Sequence, residues 1–256
     1  MKRKSQSITS KIPAITAIAV IVILWQLLCM SGLVPAYMLP SPVQVMSAFI
    51  GDISIIVYHG GVTLTEAIIG LALGIILAFL MATLMDRFLT MERAFYPLIV
   101  ISQTIPTIAI APILVLWMGF GMAPKITLVI ITTFFPMAVG LLEGYKSVDE
   151  DTIRLMRTMK ASRLQIFMHA KLPAALPYFF SGLRISASYA VVGAVVSEWL
   201  GGFEGLGVYM TRVKKAYSFD KMFAVIIFIV IMSLLLMFIV SLLRRLIMPW
   251  ENTTNK

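Results

Sequence analysis

In a chain that is 60% hydrophobic, the residues able to do polar chemistry stand out by their placing. Glu66, Glu143, Arg184 and Glu198 each fall inside, or at the end of, a long apolar run. A charge in such surroundings is costly, so it is either paired or used on an ion or substrate path. Glu143 and Arg184 lie near the ends of their runs, where a charged head can reach water. Structural pairing is the expected use of all four. Glu66 and Glu198 are also the carboxylates that an ion-coupled transporter would need, and Glu198, beside the Gly-rich stretch 201–207, is placed to shape a gate. A second set is neutral. Gln103 and Thr107 flank Pro106, and a proline inside an apolar helix frees backbone carbonyls that a cavity or a neighbour must satisfy. A path-lining bend and a simple packing kink both fit. Tyr189 joins Gln103, Thr107 and Glu198 as a candidate pore or gate residue.

Enzymatic chemistry is excluded more firmly. The chain has no G-x-x-x-x-G-K-[ST] phosphate loop, no G-x-S-x-G and no H-E-x-x-H. His59 and His169 lack metal-ligand spacing, and a lone Cys29 makes no disulfide framework. No catalytic residue, metal or cofactor of its own is expected.

The elements holding these residues are membrane helices. Only 13% of the 256 residues are charged, against about 25% in soluble domains. Mean hydropathy is +0.96. Six stretches are long enough to cross a bilayer, at about 12–31, 61–85, 95–118, 124–145, 176–199 and 222–247. The first follows "MKRKSQSITSK" in the manner of a signal peptide, but it is too long and lacks a small-x-small cleavage site, so it reads as a span. The organisation is then an N-terminal span and connection, 1–60, and a core, 61–248, containing a polar loop at 146–175. Three prolines and Gly32 end the first span, and Ser41 with Pro42 caps a short helix after it. Gly70, Gly74, Gly193 and Ser197 have the spacing that lets helix backbones approach; packing within the chain is their expected role.

The net charge of +9 fits inner loops and anionic lipid rather than nucleic acid. With the N-terminus inside, fifteen Lys/Arg fall on inner segments and five on outer ones, with Arg184 within a span. Both termini are therefore expected in the cytoplasm and Ser54 outside. Arg212, Lys214, Lys215 and Lys221 form a basic cluster on the outer side that runs against this trend.

The most charged helical stretch, "DEDTIRLMRTMKASRLQIFMHAKLPAALP" at 149–177, sits between two spans. Ser147 with Glu150, and Ser162 with Gln165, have capping-box spacing. Ile153, Met156 and Met159 form one apolar stripe, and Leu164, Phe167 and Met168 a second. Pro173 and Pro177 should stop the second helix. The stretch reads as two short amphipathic helices with a sharp corner at 160–162. Resting on lipid headgroups and docking a cytoplasmic protein fit it equally.

The spacing resembles the E-A-A-x3-G-x9-I-x-L-P loop of ABC-importer permeases, at Arg154, Leu155, Met156, Lys160, Ala170, Leu172 and Pro173. The Leu-Pro ending is kept; the Glu, both Ala and the Gly are not. Lys160 then either adopts a left-handed conformation at a cost of roughly 1 kcal/mol, or the corner is built differently. In order along the chain stand "LPSPVQV", "TLTEAIIGLALG", "SQTIPTIAIAPILVLWMGFGMAPKI", "FFPMAVG", "LPYFFSGLRIS" and "EWLGGFEGLG". Together these resemble the nitrate/sulfonate/taurine-type branch of such permeases over about residues 35–245. The resemblance implies an all-α, type I importer permease fold of about six spans in a bacterial cytoplasmic membrane. It implies a second permease subunit, two ATPase subunits that carry ATP and Mg, and an extracytoplasmic binding protein. It implies a coupling helix with its central contact at Arg157, Thr158, Met159, Lys160, Ala161, Ser162 and Arg163. Substrates of the branch are small anions or heterocyclic vitamin precursors. Apart from Lys125 at the outer end of one, the outer halves of the spans lack Lys and Arg, which favours a pyrimidine-type thiamine precursor over sulfonate, taurine or nitrate. The readings of another class are an ion-coupled transporter using Glu66 or Glu198, and a membrane scaffold.

Overall fold

The computed structural model describes residues 12–35 and 38–250, and among them it is helical with no strand. In order the helices are α1 (Ile12–Met30), α2 (Pro42–Gly51), α3 (Ile53–Arg87), α4 (Leu89–Ser102), α5 (Thr107–Met118) and α6 (Met122–Lys146). There follow α7 (Glu150–Thr158), α8 (Arg163–Ile166), a π-turn (Phe167–Lys171), α9 (Leu172–Gly201), α10 (Leu206–Lys215) and α11 (Phe219–Ile247). The N-terminal basic residues Lys2, Arg3, Lys4 and Lys11, and Lys256, lie outside the described residues, as do both termini.

Among the described residues five helical runs are long and apolar enough to span a membrane: Ile12–Met30, Ile53–Arg87, Met122–Lys146, Arg163–Gly201 and Phe219–Ile247. The span expected at 95–118 is instead two helices, α4 and α5, bent by 103°. Pro106, which has no N–H to continue the helix, stands at the break as the cap residue of α5. The second span begins earlier than expected. The polar Asp52 closes α2, and α3 runs from Ile53 for 35 residues, taking Ser54 into its first turn.

The chain divides into two compact units. One runs to Val57 and takes in Tyr209–Phe228; the other comprises Tyr58–Val208 and the chain from Ile229. In the first, the expected Ser41 cap is complete: Ser41 Oγ accepts from the Gln44 amide at 3.3 Å and Gln44 Oε1 accepts from the Ser41 amide at 2.8 Å. The Trp25 ring packs on Phe223 and its N–H donates to the Pro40 carbonyl. Asp52 takes a hydrogen bond from the Tyr209 hydroxyl and pairs with Lys221 at 2.8 Å. Lys221 thus has an internal partner. The Lys221 hydrogen bond and then that of Tyr209 hold the Asp52 carboxyl below the usual carboxylate range. The stability contributed by this contact is therefore present above that usual range and fades as pH falls through the lowered value.

The second unit is built on α6 and α9, which run antiparallel. Between apolar helices in lipid there is little hydrophobic drive, so close packing holds them. A Cβ on Gly193 would lie 3.0 Å from Thr132 Oγ1, and one on Gly74 would lie 2.7 Å from Thr133 Oγ1. The small residues at these positions let α9 and α3 approach α6, as the spacing predicted. Met85, Ile99 and Leu142 pin α3 and α4 to α6. Ala111, Leu114 and Leu128 pin α5 to the same helix. Trp117, Trp199 and Trp250 are exposed near helix ends, as an aromatic belt requires.

Candidate functional site

The polar corner at 158–163 is built with a left-handed lysine. α7 starts at Asp149, whose side chain accepts from the Asp151 amide. The expected Ser147 cap is not used, because α6 continues to Lys146 and the Ser147 hydroxyl finishes it by donating to the Gly144 carbonyl. At the other end of α7, the Ala161 amide reaches the Met156 carbonyl and the Lys160 amide reaches Arg157, each at 2.9 Å. Lys160 has φ +61°. This is the paired closure usually completed by Gly. The family-like corner is therefore kept without its glycine. Lys160→Gly should relieve the strain by about 1 kcal/mol, slowing amide exchange at Ala161 about fivefold; unchanged or faster exchange would show the corner unstrained.

Ser162 then opens α8 with both halves of its capping box, at 2.7 and 3.2 Å. The prolines do not stop this helix. Arg163 to Gly201 is one helical run, and Pro173, in the first turn of α9, follows a π-turn in which the Leu172 amide bonds Phe167. The expected stripes are also split. Ile153 and Met156 turn inward and Phe167 packs on Tyr145, whereas Leu155, Met159 and Leu164 are 62%, 75% and 69% exposed. Met159 lies past the last turn of α7, so the corner carries it outward. Arg154 is tied to Glu150 and Asp151, but Arg157, Lys160 and Arg163 have no carboxylate partner among the described residues. The corner offers three cations and three apolar side chains to an outside surface. Thr158 bonds the Arg154 carbonyl, and Ala161 is half-buried.

Three of the four candidate pore or gate residues meet. A cavity of about 210 Å³ is lined by Ser102, Gln103, Thr107, Thr132 and Tyr189 among apolar neighbours. The α4–α5 bend opens it. A second cavity, of about 410 Å³, shares Gln103 and Tyr189 and adds Glu143, Tyr178 and Ser181. Neither is lined by Lys or Arg. Glu143 and Arg184 are exposed and form no ion pair with a described residue, so the expected pairing fails for both.

Glu198 is elsewhere, at the end of the unit opposite the polar corner. There Glu66, Thr63, Lys125 and Glu198 are all buried. Lys125 Nζ lies 2.6 Å from Glu66 and 3.3 Å from the Glu204 carbonyl. Glu198 accepts from the Thr63 hydroxyl at 2.7 Å and the Gly207 amide at 2.6 Å, and the Gly205 amide donates to His59. These donors satisfy both oxygens of the Glu198 carboxyl. Gly205, at φ +118°, has no room for a Cβ against the Glu198 carboxyl. The loop 201–207 is thus bound to α3 and α9. The expected pairing holds for Glu66 through Lys125, at the start of the span expected at 124–145.

The family description "Binding-protein-dependent transport system inner membrane component" matches residues 70–251. The chain is 40% identical over 216 residues to the formylaminopyrimidine transport permease ThiX of Halalkalibacterium halodurans, covering 84% of this chain and 86% of that one. It is 30% identical over 234 residues to the riboflavin transport system permease RibX of Chloroflexus aurantiacus, covering 90% and 87%. The fold matches a crystal structure of an amino acid ABC transporter with histidines at a TM-score of 0.61 and 15% identity, over 79% of this chain and 95% of that one. The chain therefore belongs to the permeases of binding-protein-dependent ABC importers, and is a non-catalytic, multi-pass subunit that works with an ATPase and a binding protein in the bacterial inner membrane.

Proposed function

We propose that this permease carries a small neutral heterocycle of the pyrimidine thiamine-precursor type, handed to it by its binding protein, along a path lined by Gln103, Thr107 and Tyr189. The observation that carries the reading is the cavity they share. Gln103 offers both a donor and an acceptor, the threonines offer hydroxyls, and Tyr189 offers a ring face. A sulfonate or nitrate path calls for cationic side chains, and no Lys or Arg is among the residues lining either cavity. The 40% identity to a permease named for formylaminopyrimidine points the same way. The Glu66–Lys125 pair speaks against an ion-coupled mechanism, since Glu66 already has its counter-ion.

In this reading two permease subunits stand on two ATPases, which hold ATP and Mg. The corner Arg157, Thr158, Met159, Lys160, Ala161, Ser162 and Arg163 seats in the ATPase, within a core of 61–248 that follows the N-terminal section 1–60. Glu198 braces the outer gate. Both termini lie in the cytoplasm. In a Cys29→Ser background, an impermeant thiol reagent on intact cells should label Ser54→Cys and spare Thr253→Cys; the opposite pattern inverts the topology.

Uptake of labelled pyrimidine precursor, taurine and nitrate in cells lacking the gene tests the substrate. Loss of pyrimidine uptake alone is expected, with loss again on complementation with Gln103→Ala. Loss of taurine or nitrate uptake with pyrimidine uptake intact would overturn the choice.

A further inference from the structure

Between the polar corner and the last turn of α3 lies a cavity of about 930 Å³ that the transport path does not use. Asp86 and Lys171 face it, with both carboxylate oxygens held by the ammonium at 2.6 and 2.8 Å, so their charges cancel. That leaves Arg87, Arg157 and Arg163 on one cavity, and none has a carboxylate partner among the described residues. Guanidinium groups bind phosphate oxygens two at a time, and Thr83, on the same wall, adds a hydroxyl donor. Three exposed guanidinium groups around one space, none with a carboxylate partner among the described residues, suit an anion.

We infer that this cavity is a phosphodiester site filled by the headgroup of an anionic membrane phospholipid. Thr83 and Arg87 belong to the last turns of a membrane-spanning helix, so the cavity opens at the level of lipid headgroups. Leu164 on its wall is 69% exposed and Leu84 on the adjoining turn 37%. Apolar side chains flanking a basic pocket suit a lipid, whose acyl chain covers them, better than a free phosphate, which leaves them in water. A headgroup bridging Arg87 to Arg157 and Arg163 would tie the corner to α3. The site does not depend on the identity of the transported solute, and Arg87 lies outside the corner assigned to ATPase contact.

Native mass spectrometry of the full chain with its ATPase partner, titrated with phosphatidylglycerol, phosphatidylcholine or inorganic phosphate, tests the site. Phosphatidylglycerol should be retained in preference to phosphatidylcholine. Arg87→Gln should weaken its retention about fivefold, the effect of one arginine at a membrane surface; Arg87→Lys should keep most of it and Lys215→Gln all of it. Competition of phosphatidylcholine against phosphatidylglycerol on the unaltered chain gives the same reading without a substitution. Equal retention of the two lipids, phosphatidylglycerol binding indifferent to Arg87→Gln, or Arg87-dependent binding of inorganic phosphate without lipid would each overturn the proposal.

Discussion

Arg157→Glu and Lys160→Glu are each expected to uncouple ATP hydrolysis from uptake while the permease still inserts and folds. Both residues are exposed and have no carboxylate partner among the described residues, so reversing their charge costs the fold little. At a desolvated contact the same reversal costs about 2–5 kcal/mol, which is a loss of at least about thirtyfold in docking or coupled transport. Arg157 also faces the 930 Å³ cavity, but Lys160 does not line it. A loss shared by both variants therefore reports on the ATPase contact rather than on lipid. ATP-driven uptake and ATPase co-purification are the measurements. Normal transport by both variants would mean that the corner merely rests on the membrane surface.

Lys125→Met should be the most damaging single change to the fold. Lys125 is 4% exposed and Glu66 is fully buried, with 2.6 Å between them. Removing one partner of such a pair strands the other charge, at a cost of about 3–5 kcal/mol. The loss should appear as a lower unfolding temperature in detergent and a lower amount of protein in the membrane. Lys125→Met with Glu66→Gln should recover most of it, because the stranded charge is then gone. A single variant as stable as the parent, or a double variant no better than the single, would remove this pair from the account.

Apolar length and composition were enough to find the spanning runs, because a helix in lipid must satisfy its own backbone and be apolar outside. What they missed has three physical causes. A hydropathy window does not register a proline that bends a run without changing its composition, so α4 and α5 read as one span. Pairing across 59 positions of chain is invisible to local pattern, so nothing in the sequence marked Lys125 as the partner of Glu66. Caps compete: Ser147 had the right spacing for α7, but α6 reached it first and Asp149 served instead. The corner at Lys160 was legible in position, since Ser162 and Gln165 mark the restart, and its left-handed geometry held although the side chain is not the one that geometry favours. Of the pore candidates, Gln103, Thr107 and Tyr189 converge because the proline break aims α4 and α5 toward α9, whereas Glu198 follows its helix to the far end.

The claim on which the rest depends is that the corner at 158–163 seats in the ATPase. Ala161→Cys, in a Cys29→Ser chain assembled with its ATPase partner, tests it by oxidative cross-linking to single cysteines placed across the ATPase surface. The account predicts a cross-link from position 161 whose yield changes when ATP is added, and none from Tyr217→Cys, at the other left-handed corner. A cross-link from 217 with none from 161 would contradict it.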